Sequence, residues 1–220
     1  MNEPEFGVSQ TTGNRLKVIE DLIAKLPPGY VNALEVGSYE GRSALAISAA
    51  IGARGGPGGH LVCVDPWKPY LGNEPPGIEV MNRMDADLES GAVFERFKQN
   101  IKHAHPLAQI SHRVGSLGEF NLPTRDFNFV YIDGCHRYSA VKRDLEIARY
   151  LVVHGGILCG DDLERQGCDA AKEAEPVCER DASDDWHPGV TRAVWETFGQ
   201  VWCEDGVWAV RRALWSWEVP

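Results

Sequence analysis

The chain has 220 residues, 43% apolar and 25% charged, with a formal charge of −10; this suits one domain with an ordinary hydrophobic core and excludes disordered and fibrous classes. A field of that sign repels a phosphate backbone, so nucleic acid is not an expected partner. The apolar runs are too short for a bilayer span, and the opening Met1-Asn-Glu-Pro-Glu5 lacks the basic start and apolar core of a secretory leader, so no membrane partner and a cytoplasmic setting are expected.

In chain order, Leu16, Ile19, Leu22, Ile23 and Leu26 have helical spacing and end before Pro27-Pro28-Gly29. Residues 1–30 therefore form a helical N-terminal extension. Residues 31–36 read as a short strand ending at Gly37, and residues 41–51 as an alanine-rich helix. A glycine-rich turn leads into a strand over 61–64 that stops at Asp65. Residues 66–90, rich in proline, read as an irregular insertion. Val93, Phe94, Phe97 and Ile101 mark the next helix, and residues 109–114 a strand.

The stretch Phe127-Asn-Phe-Val-Tyr-Ile-Asp133-Gly-Cys-His136-Arg-Tyr138 is an apolar strand that ends at an acid. Gly155-Gly-Ile-Leu-Cys-Gly-Asp161-Asp162-Leu163 repeats the pattern, and Val141, Leu145, Ala148 and Leu151 give the segment between them a helical face. Strand, helix and strand in that order form a parallel crossover, which brings both acidic ends to the carboxyl edge of one sheet. Residues 164–187 contain an acidic, weakly patterned surface excursion. Val190, Ala193, Val194 and Phe198 mark a last helix, and strands over 200–203 and 207–212 flank the hairpin signal Glu204-Asp205-Gly206.

The fold class expected is α/β: a Rossmann-like, doubly wound, seven-stranded and mostly parallel sheet with an antiparallel C-terminal hairpin, in one domain over residues 1–220. The insertions 66–90 and 164–187 would wall an acceptor pocket with Trp67, Tyr70, Met81, Met84 and Trp186. The aromatic tail Trp208, Trp215 and Trp217 suits core packing or a homo-oligomer interface equally. Cys63, Cys135, Cys159, Cys168, Cys178 and Cys203 show no zinc spacing and read as reduced thiols.

The turn Glu35-Val-Gly37-Ser38-Tyr-Glu-Gly41-Arg-Ser43 brings bare backbone and a helix start to the same edge, but its G-x-x-x-G spacing is not the dinucleotide fingerprint. Asp65 sits where an acid can accept bonds from ribose hydroxyls, Trp67 could stack on a heterocycle, and Gly115-Ser116 falls where an adenine edge could be met. Asp133, Asp161 and Asp162 offer hard oxygens suited to Mg²⁺ or Mn²⁺, and His136 could take a proton at neutral pH. Each has a plainer alternative: a strand-end cap for Asp65, a helix cap or a solvent-facing position for Asp161 and Asp162, a helix cap for His136, lid packing for Trp67 and a plain turn for Gly115-Ser116. His60, His103, His105, His112, His154 and His187 lack a motif and read as surface or packing residues.

Taken together in this order, these motifs resemble the class I S-adenosylmethionine (SAM)-dependent methyltransferases over about residues 31–163. More narrowly they are similar to metal-dependent small-molecule O-methyltransferases of the catechol and macrolide-sugar types. The resemblance implies SAM as cofactor, with Glu35, Gly37 and Ser43 at its methionine end and Asp65 at the ribose; Ser38, Gly41, Trp67, Gly115, Ser116 and Asp133 are the further candidate cofactor-binding residues. It implies a divalent ion on Asp133, Asp161 and Asp162, and His136 as general base toward a small-molecule hydroxyl, a sugar or vicinal diol. Where the sugar-modifying branch commonly has glutamate, this chain has Asp161. A metal-independent methyltransferase and a non-catalytic SAM-binding protein are the alternatives; the glycine spacing weighs against an NAD-dependent oxidoreductase.

Overall fold

A computed structural model describes residues 3–7, 12–69, 79–179, 186–214 and 216–220. Five strands, β1 (Val31–Val36), β2 (Gly59–Asp65), β3 (Ala108–Val114), β4 (Phe127–Ile132) and β5 (Val152–Gly160), pair in parallel in the spatial order β3-β2-β1-β4-β5. A hairpin of β6 (Trp202–Glu204) and β7 (Val207–Arg212) adds to β5, with β7 antiparallel to it. An eighth strand, β8 (Trp217–Glu218), pairs with β7 and corrects the expected count of seven. A two-residue strand is too short to carry an alternating pattern, which is why the sequence conceals it.

Alternation along the strands feeds two cores. Phe129 and Tyr131 of β4 face one, and Val130 and Ile132 face the other. The first core is closed by α1 (Gly13–Ala24), α2 (Arg42–Ala53), α3 (Glu79–Glu89) and α4 (Ala92–Asn100); α5 (Tyr138–Leu151) and α7 (Pro188–Phe198) close the second. In α1 the apolar spacing does what it predicts, burying Val18, Ile19, Leu22 and Ile23.

Two expected irregular segments contain helices. Within 66–90, α3 begins at Glu79, after all four prolines of the segment, so none interrupts its hydrogen bonds. Its Met84 and Leu88 are buried. Tyr70 lies outside the described residues. Within 164–187, α6 (Cys168–Ala174) buries Ala170, Ala171 and Ala174, small residues that bring it close against α7. Of the aromatic tail, Trp208 is buried in the second core and Trp217 packs on Phe198 at 5.4 Å, while Trp215 lies outside the described residues.

The strand order reverses between β1 and β4, and connections leaving the two strands in opposite directions open a crevice at their carboxyl ends. Gly37 stands at that point with φ +86°, and a Cβ there would drive into the backbone of Asp133, with Gly134 Cα only 2.6 Å away. The two loops can cross this closely only because residue 37 has no side chain. Gly37→Ala is therefore expected to destabilise the chain by ~2 kcal/mol or more, read from urea unfolding; a change under ~0.5 kcal/mol would contradict the packing described.

Candidate functional site

The first half of the site is a buried knot of hydrogen bonds between the loops after β1 and β2. Glu35 is fully buried, and its two oxygens accept from the Ser38 hydroxyl at 2.5 Å and the Ser43 hydroxyl at 2.6 Å. Asp65, also fully buried, accepts from the backbone N–H groups of Ser38 and Tyr39 at 2.9 Å each and of Trp67 at 2.6 Å. Burial pushes both carboxyls above their usual range, and the donated bonds oppose that rise. Glu35, Ser38, Ser43 and Asp65 thus come together, bonded to the loop that carries Gly37 and Gly41. Gly41 takes φ +84° at the start of α2.

Of the two readings of Trp67, stacking on a ligand and packing, the structure shows packing. Trp67 is buried, its ring centroid lies 4.7 Å from those of both Phe94 and Phe97, and its indole N–H donates to the Tyr39 carbonyl at 2.8 Å. An indole attracts both roles on paper, and here the aromatic face of α4 claims it. Ser116 caps a short 3-10 turn reciprocally with Glu119, next to a buried Gly115 at φ +152°. On the same loop as Ser38, the Tyr39 hydroxyl is buried without a hydrogen-bond partner among the described residues.

The second half gathers the strand-end acids of β4 and β5. The Tyr131 hydroxyl donates between Asp133 Oδ2 at 3.4 Å and Asp161 Oδ2 at 3.2 Å. Arg15, from the first turn of α1, directs Nη1 at Asp161 Oδ1 (3.0 Å) and Asp162 Oδ1 (2.9 Å), with Nη2 3.5 Å from Glu164. His136 Nε2 lies 3.0 Å from Asp162 Oδ2. His187 Nδ1 lies 3.2 Å from both Glu164 oxygens and 3.8 Å from Asp162 Oδ1, and its ring meets that of His136 edge-on at 4.4 Å. Asp162 holds this geometry from a left-handed backbone at φ +64°, a conformation that costs energy outside glycine and often marks a working site.

The charges here have been arranged against burial. Desolvation, then the neighbouring Asp162 charge, raises the Asp161 carboxyl to about 6 despite Arg15. Asp133 is raised well above its usual range by desolvation and then by the charges of Asp161 and Asp162. Asp162 goes the other way: burial would raise it, but His136, His187 and Arg15 hold it below the ordinary carboxylate range. Burial disfavours the charged form of His187, yet Glu164 and Asp162 reverse this and raise it.

Asp133, Asp161, Asp162 and His136 therefore do converge at one mouth. Among the described residues, His136, Asp162 and His187 form a group whose ligand atoms lie within 4.8 Å of one another and could hold a metal ion. Arg15, Glu164 and His187 escaped the sequence reading because they reach the edge from α1, from the segment after β5 and from the start of α7. One local cue existed: His187 directly precedes Pro188, the first residue of α7, which fixes a helix start. Gly189 then lets that helix end approach the His136 loop, since a Cβ would lie 2.5 Å from Tyr138 N. The other five histidines are exposed or half-buried, in keeping with surface or packing roles.

This sequence matches the family described as methyltransferase domain over residues 34–163. The chain belongs to that family, and it carries the Rossmann-like class I methyltransferase fold. Among solved structures it is similar to a structural-genomics protein from Corynebacterium glutamicum, 13% identical, covering 92% of this chain and 82% of that one at a TM-score of 0.52. It is also similar to an O-methyltransferase from Bacillus cereus in complex with SAH, 16% identical with coverage of 92% and 82% and a TM-score of 0.49. A third is the O-methyltransferase TomG from Streptomyces achromogenes, involved in tomaymycin synthesis and in complex with SAM, at 15% identity, 92% and 82% coverage and a TM-score of 0.49. No curated protein matches the sequence significantly.

Asp162 is the hub of the second half, and asparagine keeps its shape and tolerates its left-handed backbone. Asp162→Asn is expected to cost about 2 kcal/mol of stability, below the full value for breaking a buried pair because Arg15 keeps other partners. Chemical unfolding of the two proteins measures this, and equal stabilities would contradict a charge-bearing hub.

Proposed function

We propose that the chain transfers the methyl group of SAM to a hydroxyl of a small molecule, with a sugar or vicinal diol as the acceptor class. The observation that carries this is the His136–Asp162 pair, 3.0 Å apart at the carboxyl edge of a methyltransferase-family sheet. A carboxylate on one imidazole nitrogen fixes the orientation of the ring and stabilises the charge the ring gains on taking a proton. His136 would take the proton of the attacking hydroxyl, and bound SAM would supply the methyl group and the sulfur that leaves with the bonding electron pair.

Bound SAM supplies a methyl group already activated by the sulfonium charge. The chain's own part is positioning and desolvation. The loop of Gly37, Ser38, Gly41 and Ser43, tied down by Glu35 and Asp65, would hold the cofactor, with Gly115, Ser116 and Asp133 bordering it. The Tyr39 hydroxyl on that loop, buried without a partner among the described residues, supports a ligand there, since a buried polar group without a partner is costly unless something fills the place. The acceptor would enter beside Trp186 and α3. Trp186 is half-buried, with its indole N–H 3.2 Å from the Thr191 hydroxyl.

The divalent ion implied by the resemblance fits the chemistry of the donors but not their arrangement. Carboxylate oxygens suit Mg²⁺ or Mn²⁺. Here Arg15 faces Oδ1 of both Asp161 and Asp162, Tyr131 faces Asp161 Oδ2, and His136 faces Asp162 Oδ2. An ion would have to displace protein donors from these oxygens.

Transfer of tritium from methyl-labelled SAM to a catechol and to a nucleotide-activated hexose tests the proposal. The wild-type chain should label at least one of them, and His136→Ala should lower the rate about 10²–10⁴-fold with SAM affinity unchanged. Equal rates in the variant would remove His136 as the base. Absence of transfer to either acceptor together with absence of SAM binding would overturn the proposal.

A further inference from the structure

We infer that Arg15 is the resident cation of the acidic edge: its guanidinium stands where a divalent ion would sit on Asp161 and Asp162, and the two exclude each other. The inference deepens the methyl-transfer proposal and takes its chemical meaning from it, while its test reads ion binding alone.

Several observations put Arg15 there by construction. Its backbone belongs to the first turn of α1, where its N–H donates to the Thr12 hydroxyl at 3.4 Å. Three and four residues on, Val18 and Ile19 are buried in the first core, so the helix that carries the arginine is anchored. The guanidinium then crosses the turn of the β6–β7 hairpin at Gly206, where a Cβ would come within 2.9 Å of Nη2. The glycine keeps that passage open. The same glycine carbonyl accepts from Leu163 N at 2.9 Å, which ties the passage to the residue following Asp162.

At the far end, one nitrogen bridges two carboxylates. Nη1 lies 3.0 Å from Asp161 Oδ1 and 2.9 Å from Asp162 Oδ1. A small divalent ion binds such oxygens at about 2.0–2.1 Å, so it would occupy the space between them and meet a fixed positive charge. Arginine does not relieve that conflict by losing its proton, whereas lysine or histidine could. Nη2 reaches Glu164, so the fork spans three acids on the segment after β5. What it supplies there is positive charge and directed N–H bonds, without an ion's exchangeable ligand positions.

The test uses the full chain, stripped with EDTA, and Mn²⁺ followed by electron paramagnetic resonance. Wild type should bind Mn²⁺ only weakly, with Kd above about 1 mM, and Arg15→Met should bind at least ~10-fold more tightly. The gain should disappear when Asp161→Asn is added. Arg15→Gln serves as a second neutral variant should the methionine protein not fold, with circular dichroism as the check. Micromolar binding by wild type that changes less than about twofold in the neutral variants would overturn the inference and assign the ion to His136, Asp162 and His187. Neutral variants that fold and gain no Mn²⁺ affinity would overturn it as well. SAM added to the same samples keeps the two claims apart: loss of SAM binding counts against the methyl-transfer proposal, and only the Mn²⁺ series counts against Arg15.

Discussion

Everything at the working edge follows from one electrostatic constraint: a parallel sheet delivers carboxylates to the same place and removes their water. Glu35, Asp65, Asp161 and Asp162 are all buried there. A buried carboxylate is tolerated only when donors or cations replace the lost solvent, because the desolvation penalty amounts to several kcal/mol per ion. The fold meets this in two ways. Around Glu35 and Asp65 it uses neutral hydroxyl and backbone N–H donors. Around Asp161 and Asp162 it uses a guanidinium and two imidazoles.

That difference sorts the chemistry. Neutral donors make a rigid knot that fixes the shape of a loop and leaves no group poised to exchange a proton. The ionic half holds groups whose protonation is balanced: Asp161 is lifted to about 6 while the adjacent Asp162 is pulled down. Pairs of acids driven apart by their surroundings are a mark of sites that handle protons. The ionic half also fastens distant parts of the chain together, since Arg15 and Asp162 are 147 residues apart. Helix α1 thus contributes Arg15 to this cluster of charges.

Most of the architecture was legible in the sequence because it rests on periodicities. The β4–α5–β5 crossover, the acids at its strand ends and the closing hairpin all stand where alternation and helical spacing put them. Segments whose signal was diluted were misread: α3 follows a run of prolines, and α6 buries alanines in an acidic stretch. In the site, Asp161, Asp162 and His136 carried local motifs and could be named. Arg15 and His187 could not, because a salt bridge between elements far apart in sequence leaves no periodicity and no spacing to read. Trp67 shows the converse, a residue whose chemistry suggested a ligand while its neighbours Phe94 and Phe97 decided on packing.

Membership of the methyltransferase-domain family and the geometry of the β1–β4 crevice meet in a single claim, that this edge binds SAM in preference to a dinucleotide. Calorimetric titration of SAM into the purified chain, with NAD as the control ligand, tests it most directly. The account predicts saturable binding of SAM in the micromolar range and no heat from NAD. Silence with SAM, or binding of NAD instead, would contradict it.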